Sequence, residues 1–230
     1  MTNGKPSFTV IIARIVRRVP LVTLLLTLTA VPIHLLYSLR IQLLYDRSAL
    51  IHYEVWRLLT CHWVHLSWDH LFWSAMTFLG LGSICEMMDR KKFLVTIGIS
   101  ALLIPAAIRW AMPNLMIYGG LSGLDCALYA LLMVLLIKRE IRSGSRVWLA
   151  FFTLLLVGLI AKITYEAVTG MTLFVSNNHT GMVPVPLAHL VGGIVGTAIG
   201  LMKNFRKVGR PHQQGPSRHS FFPGDLMTPQ

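Results

Sequence analysis

The chain has 230 residues, of which 54% are hydrophobic and 13% charged, and it carries a net charge of +12. That apolar content excludes a disordered chain and is high for a soluble domain. A basic soluble protein would suggest nucleic acid, but no basic module interleaved with aromatic residues occurs, so the lipid bilayer and not nucleic acid is the expected partner.

Residues 1–19 form a basic cytoplasmic N-terminal segment, with Phe8 to Val19 suited to an interfacial helix. The apolar run Pro20 to Leu39 approaches the roughly 20 residues a helix needs to cross the hydrocarbon core. It is too long for a secretory h-region and is read as a retained span. Residues 40–65 make an outer loop rich in Trp and Tyr, the types that settle at a membrane interface, so half-insertion is expected there. Further apolar runs follow at Leu66 to Cys85, Phe93 to Met112, Leu121 to Ile137, Val147 to Ala161 and Pro186 to Met202. Residues 162–185 read as a second outer loop, and 203–230 as a basic cytoplasmic tail too poor in apolar residues to bury a core. The fold class expected is therefore an all-α membrane protein, a bundle of six transmembrane helices over residues 20–202.

Charge supports this span count independently of hydropathy. Arg14, Arg17 and Arg18 precede the first run, and Arg90, Lys91 and Lys92 separate the second from the third. Lys138, Arg139, Arg142 and Arg146 separate the fourth from the fifth, and Lys203, Arg206 and Lys207 follow the sixth. The alternate loops are poor in basic residues. This is the positive-inside pattern for six spans with both termini in the cytoplasm. Cys61, Cys85 and Cys126 are an odd set, two of them in spans, and suggest no disulfide framework.

Two spans carry chemistry. Ser122 opens the fourth, in Gly120-Leu121-Ser122-Gly123, and His189 lies in the sixth, in Ala188-His189-Leu190-Val191-Gly192-Gly193. Polar and ionisable groups within a bilayer are costly, so their presence is a functional hypothesis. A helix starting at Ser122 has unpaired N–H groups that favour a developing negative charge. Gly120 and Gly123 let the backbone turn tightly and let a substrate strand come close. Small residues at helical spacing run along both spans: Ser122, Cys126 and Ala130 on one, and His189, Gly193, Gly196 and Gly200 on the other. Such seams let helices approach closely. Taken singly, a membrane serine bonds its own helix and a glycine seam only packs. Together they suit a serine nucleophile and a histidine base.

These motifs resemble the rhomboid family of intramembrane serine proteases over roughly residues 20–202. Trp56-Arg57-Leu58-Leu59-Thr60, followed by His65 and His70, looks like the family's Trp-Arg loop and its following histidine-bearing helix. Gly120-Leu121-Ser122-Gly123 is similar to its nucleophile motif, and Ala188-His189 with Gly192 and Gly196 to its base helix. Tyr45-Asp46-Arg47, Glu54 and His62-Trp63-Val64-His65-Leu66 resemble the rhombosortase branch, whose substrates bear C-terminal Gly-Gly sorting tails. The resemblance implies Ser122 as nucleophile, His189 as base, membrane-anchored proteins as substrates and a bacterial inner (plasma) membrane as the location, without a cofactor or metal. It implies oxyanion or auxiliary roles for His70, Ser74, Gly120 and Gly123, and a structural role for Arg57.

The chain departs from the family pattern at two positions. Ser74 stands where the family has an oxyanion asparagine. Cys126 stands where it has an aromatic residue, which leaves Tyr129 or a residue of the sixth span to stack on His189. Asp125 either joins the dyad as a possible third member, pairs with a polar group such as Tyr129, or is protonated. His62, His65, His70 and Asp69 invite a metal reading, but the HExxH spacing is absent. His62 and His65 are expected to bond loop carbonyls or Glu54. A catalytically weak or inactive rhomboid-like protein that binds membrane helices is the alternative to a protease. A transporter would need an inverted repeat or a charged pathway, and the sequence has neither. No sequence feature sets an oligomeric state.

Overall fold

The computed structural model describes residues 19–171 and 185–203. The interfacial helix expected over Phe8 to Val19 therefore lies, except for its last residue, outside the described residues, as does almost all of the tail. Among those described, the chain is mostly helical. In order come α1 (Leu21–Leu35), α2 (Tyr37–Leu43), β1 (Tyr45–Asp46), α3 (Arg47–Ile51), α4 (Arg57–Thr60), a 3-10 turn (Cys61–Trp63), α5 (Trp68–Ala111), β2 (Ile117–Tyr118), α6 (Ser122–Ser143), α7 (Arg146–Thr169) and α8 (Pro186–Leu201). By length and composition, α5 and α7 are each able to cross a membrane, and the bent pair α1–α2 makes a third candidate.

The expected straight span Pro20 to Leu39 is broken. Leu36 has extended backbone geometry, and α1 and α2 meet at 114°. The start of α1 is held from elsewhere in the chain. A helix start exposes N–H groups with no intrahelical partner, and here Glu86 of α5 accepts from Val22 N (3.2 Å), Thr23 N (2.8 Å) and Thr23 Oγ1 (2.9 Å). The second and third apolar runs form the single element α5, which leaves helical geometry at Asp89 (φ −152°, ψ 87°). Asp89 Oδ1 then accepts from Lys92 N at 3.1 Å and caps the limb that follows. At the front of α5, Ser67 Oγ accepts from His70 N at 3.1 Å. That cap fixes where the helix begins and therefore where His70 stands.

The central element is α6, which packs against α5, α7 and α8. Leu121, Leu124, Leu128 and Leu131 are fully buried along it. It runs to Ser143, six residues past the expected end at Ile137, and stops at Gly144 (φ +78°). The apolar run ends before Lys138, but charge does not break a helix; glycine does. The same difference affects α7. It continues through residues expected in an outer loop and ends at Thr169, before Gly170 (φ +67°).

The all-α expectation also missed a short sheet. β1 and β2 pair antiparallel, Tyr45 opposite Tyr118 and Asp46 opposite Ile117. Around it the 40–65 loop is tightly stapled. The buried Arg57 guanidinium donates to Glu54 Oε2 (2.7 Å), Ile41 O (2.6 Å) and Leu44 O (2.8 Å). One cation thereby satisfies two carbonyls and a carboxylate, the structural role expected of it. Arg47 N also donates to Met116 O at 2.9 Å, extending the tie between this loop and the segment before Ser122.

Candidate active site

The turn before α6 is gripped by the 40–65 loop and the residues that follow it. Gly120 N donates to Cys61 O at 3.1 Å, and Leu121 N donates to His65 Nε2 at 3.4 Å. An accepting Nε2 places the proton of His65 on Nδ1, which donates to Trp63 O at 3.2 Å. His62 is buried and bonds Ala101 O at 3.1 Å through Nε2. Burial pushes the His62 imidazole down to about 4, and burial reinforced by the neighbouring His70 pushes His65 down to about 3. Both are therefore neutral scaffold residues. His65 bonds a loop carbonyl as expected, whereas His62 reaches a helix carbonyl. Glu54 is taken by Arg57 and serves neither histidine.

Gly120 is required by its backbone and by its neighbour. Its φ of +125° lies where L side chains rarely go, and a methyl group there would sit 2.6 Å from His70 Cε1. His70 is thus pressed against the turn that leads to Ser122. Its ring also meets His65 edge-on at 5.0 Å.

The seam between α6 and α8 brings the two expected residues together. A side chain on Gly192 would strike the Gly123 carbonyl, and one on Gly196 would strike the Ala127 carbonyl. Without side chains the two backbones lie in contact. His189, one turn before Gly193, then meets Ser122, with Nε2 to Oγ at 3.0 Å. The other edge of the ring makes a contact the sequence reading missed: His189 Nδ1 lies 2.7 Å from Glu166 Oε2. Glu166 Oε1 in turn lies 2.7 Å from Lys162 Nζ. Nδ1–H donates to the carboxylate, which leaves Nε2 unprotonated and able to accept from the Ser122 hydroxyl.

Asp125 does not hold the third position. It is buried, its Oδ1 has no hydrogen-bond partner among the described residues, and no bond joins it to His189. Nor does it pair with Tyr129, whose hydroxyl donates to Leu155 O at 3.1 Å. Tyr129 accordingly faces α7, and among the described residues no aromatic ring stacks on His189. Ser74 is buried one turn after His70 on α5, with no hydrogen bond to Ser122 or His189 among the described residues.

The outer-loop expectation for residues 162–185 conceals Glu166. A signal was present: Lys162 and Glu166 are four apart, and no glycine or proline interrupts Ala161 to Thr169. Helical continuation puts both on one face, directed at α8.

The family model for the rhomboid domain matches residues 52–204, about two thirds of the chain. The chain belongs to the rhomboid family. Rhomboid proteins are serine proteases that act within membranes, and the apolar helices here are those of an integral membrane protein. The matched region includes the stapled loop from His52 onward, α5, the turn before Ser122, and both helices of the glycine seam. No curated protein matches the chain.

Proposed function

We propose that this rhomboid is an active intramembrane serine endopeptidase with Ser122 as nucleophile and His189 as general base. The observation that carries the reading is the 3.0 Å contact from Ser122 Oγ to His189 Nε2. The imidazole takes the hydroxyl proton as Oγ attacks the scissile carbonyl, then gives that proton to the leaving amine. The peptide oxygen becomes an anion at the start of α6, where the Ser122 N–H and the helix dipole favour negative charge. His70, against Gly120, is positioned to donate a further hydrogen bond. A water then enters, loses its proton to Nε2 and frees the acyl group from Ser122.

The site belongs to a six-span bundle in this reading. The break at Asp89 divides α5 into two limbs, so α1, those limbs, α6, α7 and α8 make six. Lys92 Nζ bonds the carbonyls of Gly200 (3.1 Å) and Met202 (2.8 Å), and Lys138 Nζ those of Gly200, Leu201 and Met202. These basic loop residues gather at the end of the bundle opposite Ser122. By the positive-inside rule that end faces the cytoplasm, together with both termini, and Ser122 opens toward the outer face of a bacterial plasma membrane. Substrates are membrane-anchored proteins whose helix unwinds near that face, because a helical carbonyl is already hydrogen-bonded and held away from attack. The loop resemblance favours C-terminal Gly-Gly sorting tails.

Comparing the secreted and membrane proteomes with and without Ser122→Ala tests this. Processed termini that vanish in the variant, and that resist chelators in the wild type, are the expected result. Unchanged termini with a retained phenotype would instead indicate a helix-binding protein.

A further inference from the structure

Resting on the assignment of Ser122 and His189 above, we propose that Glu166 is the positioning residue for His189, and that Lys162 keeps its carboxylate ionised inside the bundle. The side chains of His189 and Glu166 are 8% and 3% exposed, so water does not compete for this contact. Both carboxylate oxygens are committed, Oε2 to His189 Nδ1 and Oε1 to Lys162 Nζ, each at 2.7 Å. Both partners are donors, so the group between them must be an acceptor through each oxygen, which a protonated acid is not.

The helices are arranged to make this contact. Leu159 and Ile163 of α7 lie in ordinary van der Waals contact with the position a Gly193 side chain would occupy on α8. Glu166 is the next inward position on α7, and His189 lies one turn before Gly193. The antiparallel pair therefore meets first through apolar contact and then through Glu166 and His189. The charged and titratable groups around the imidazole come from three other helices: His70 from α5, the buried Asp125 from α6, and Glu166 with Lys162 from α7. Of these only Glu166 bonds His189.

During acylation the Ser122 Oγ–C bond forms and the hydroxyl proton moves to Nε2. The imidazolium keeps its Nδ1 proton, and the Glu166 carboxylate stabilises that cation without taking the proton. When the C–N bond breaks, the Nε2 proton passes to the leaving nitrogen. In deacylation a water proton follows the same route and returns to Oγ. Without the carboxylate, the ring is free to adopt the tautomer protonated at Nε2, which has no lone pair for Ser122.

The test uses the purified full chain in detergent, with a fluorophosphonate probe that reports activated serine. Labelling that requires Ser122 in the wild type establishes the starting assignment; its absence would refute that assignment and this inference together. Given such labelling, Glu166→Gln is expected to slow it about 100- to 10,000-fold. It should also move the acidic limb of the pH–rate profile to lower pH, because the imidazolium loses its neighbouring anion. Glu166→Asp should recover part of the rate with the limb near its wild-type position. A folded Glu166→Gln protein with wild-type rate and unchanged limb would reduce the ion pair to a packing element. A measurement on the wild type avoids dependence on variant folding: ¹⁵N NMR of His189 should find the neutral ring protonated at Nδ1. Protonation at Nε2 would overturn the proposal.

Discussion

In the proposed mechanism Ser122 depends on the turn that precedes it, and Gly120 shapes that turn. Its backbone sits at φ +125° with the His70 ring 2.6 Å from where a methyl would be. Gly120→Ala therefore imposes backbone strain, on the order of 1–3 kcal/mol, and displaces His70 as well. The variant is expected to lower the melting temperature and to lose at least tenfold in Ser122 labelling rate, read by a thermal melt beside the probe assay. A wild-type rate would mean that His70 moves aside freely and has no part in the site. His189 shows how one ring nitrogen sets the other: the bond to Glu166 at Nδ1 decides what Nε2 offers to serine.

The glycine seam is where helix packing sets the distance between Ser122 and His189. On α8, Gly192 and Gly196 face the carbonyls of Gly123 and Ala127, both on α6. A methyl at position 196 cannot be absorbed by a side-chain rotation, since the atom it meets is backbone. Gly196→Ala should push the helices apart, costing about 1–3 kcal/mol as overpacking does, and should lengthen the Ser122–His189 contact that lies two turns away. Labelling by the probe should fall together with thermal stability in this variant. Gly158 of α7, which meets nothing within 4 Å, serves as the matched control, and Gly158→Ala should leave both unchanged or slightly improved. Equal behaviour of the two variants would mean the seam is not tight.

The molecule as a whole is fastened by buried neutral histidines in the loop that grips the active-site turn, and this gives its stability a pH dependence. The imidazole value of 6.5 in the unfolded chain falls to about 4 for His62 and about 3 for His65 in the fold, with burial the leading cause in each. The unfolded chain binds the extra protons, so stability is complete above pH 6.5 and is lost as pH falls toward the folded values. At pH 5 the loss from each is about 2 kcal/mol, which thermal melts between pH 7.5 and 5 should register as a falling midpoint. His62→Gln should flatten that slope, because glutamine keeps a hydrogen-bonding group for Ala101 O without titrating. A pH-independent midpoint in the wild type would contradict the buried neutral state.

Local chemistry made the six apolar runs, the serine at a helix start and the histidine among glycines legible from residue order. Each is a matter of spacing along a single segment: 3.6 residues per turn, an apolar length, a small residue every fourth position. Three features were not legible. The bend at Leu36 breaks an apolar run that composition alone reads as continuous, and the strand pair of Tyr45 and Tyr118 and the contact between Glu166 and His189 join segments remote in the sequence, whose pairing no local pattern encodes. Asp125, closer to Ser122 in the chain, is a possible third member on residue order alone. Helix packing decided otherwise, because α7 continues past its apolar run and carries Glu166 to the free edge of the imidazole, while Asp125 makes no bond to that ring.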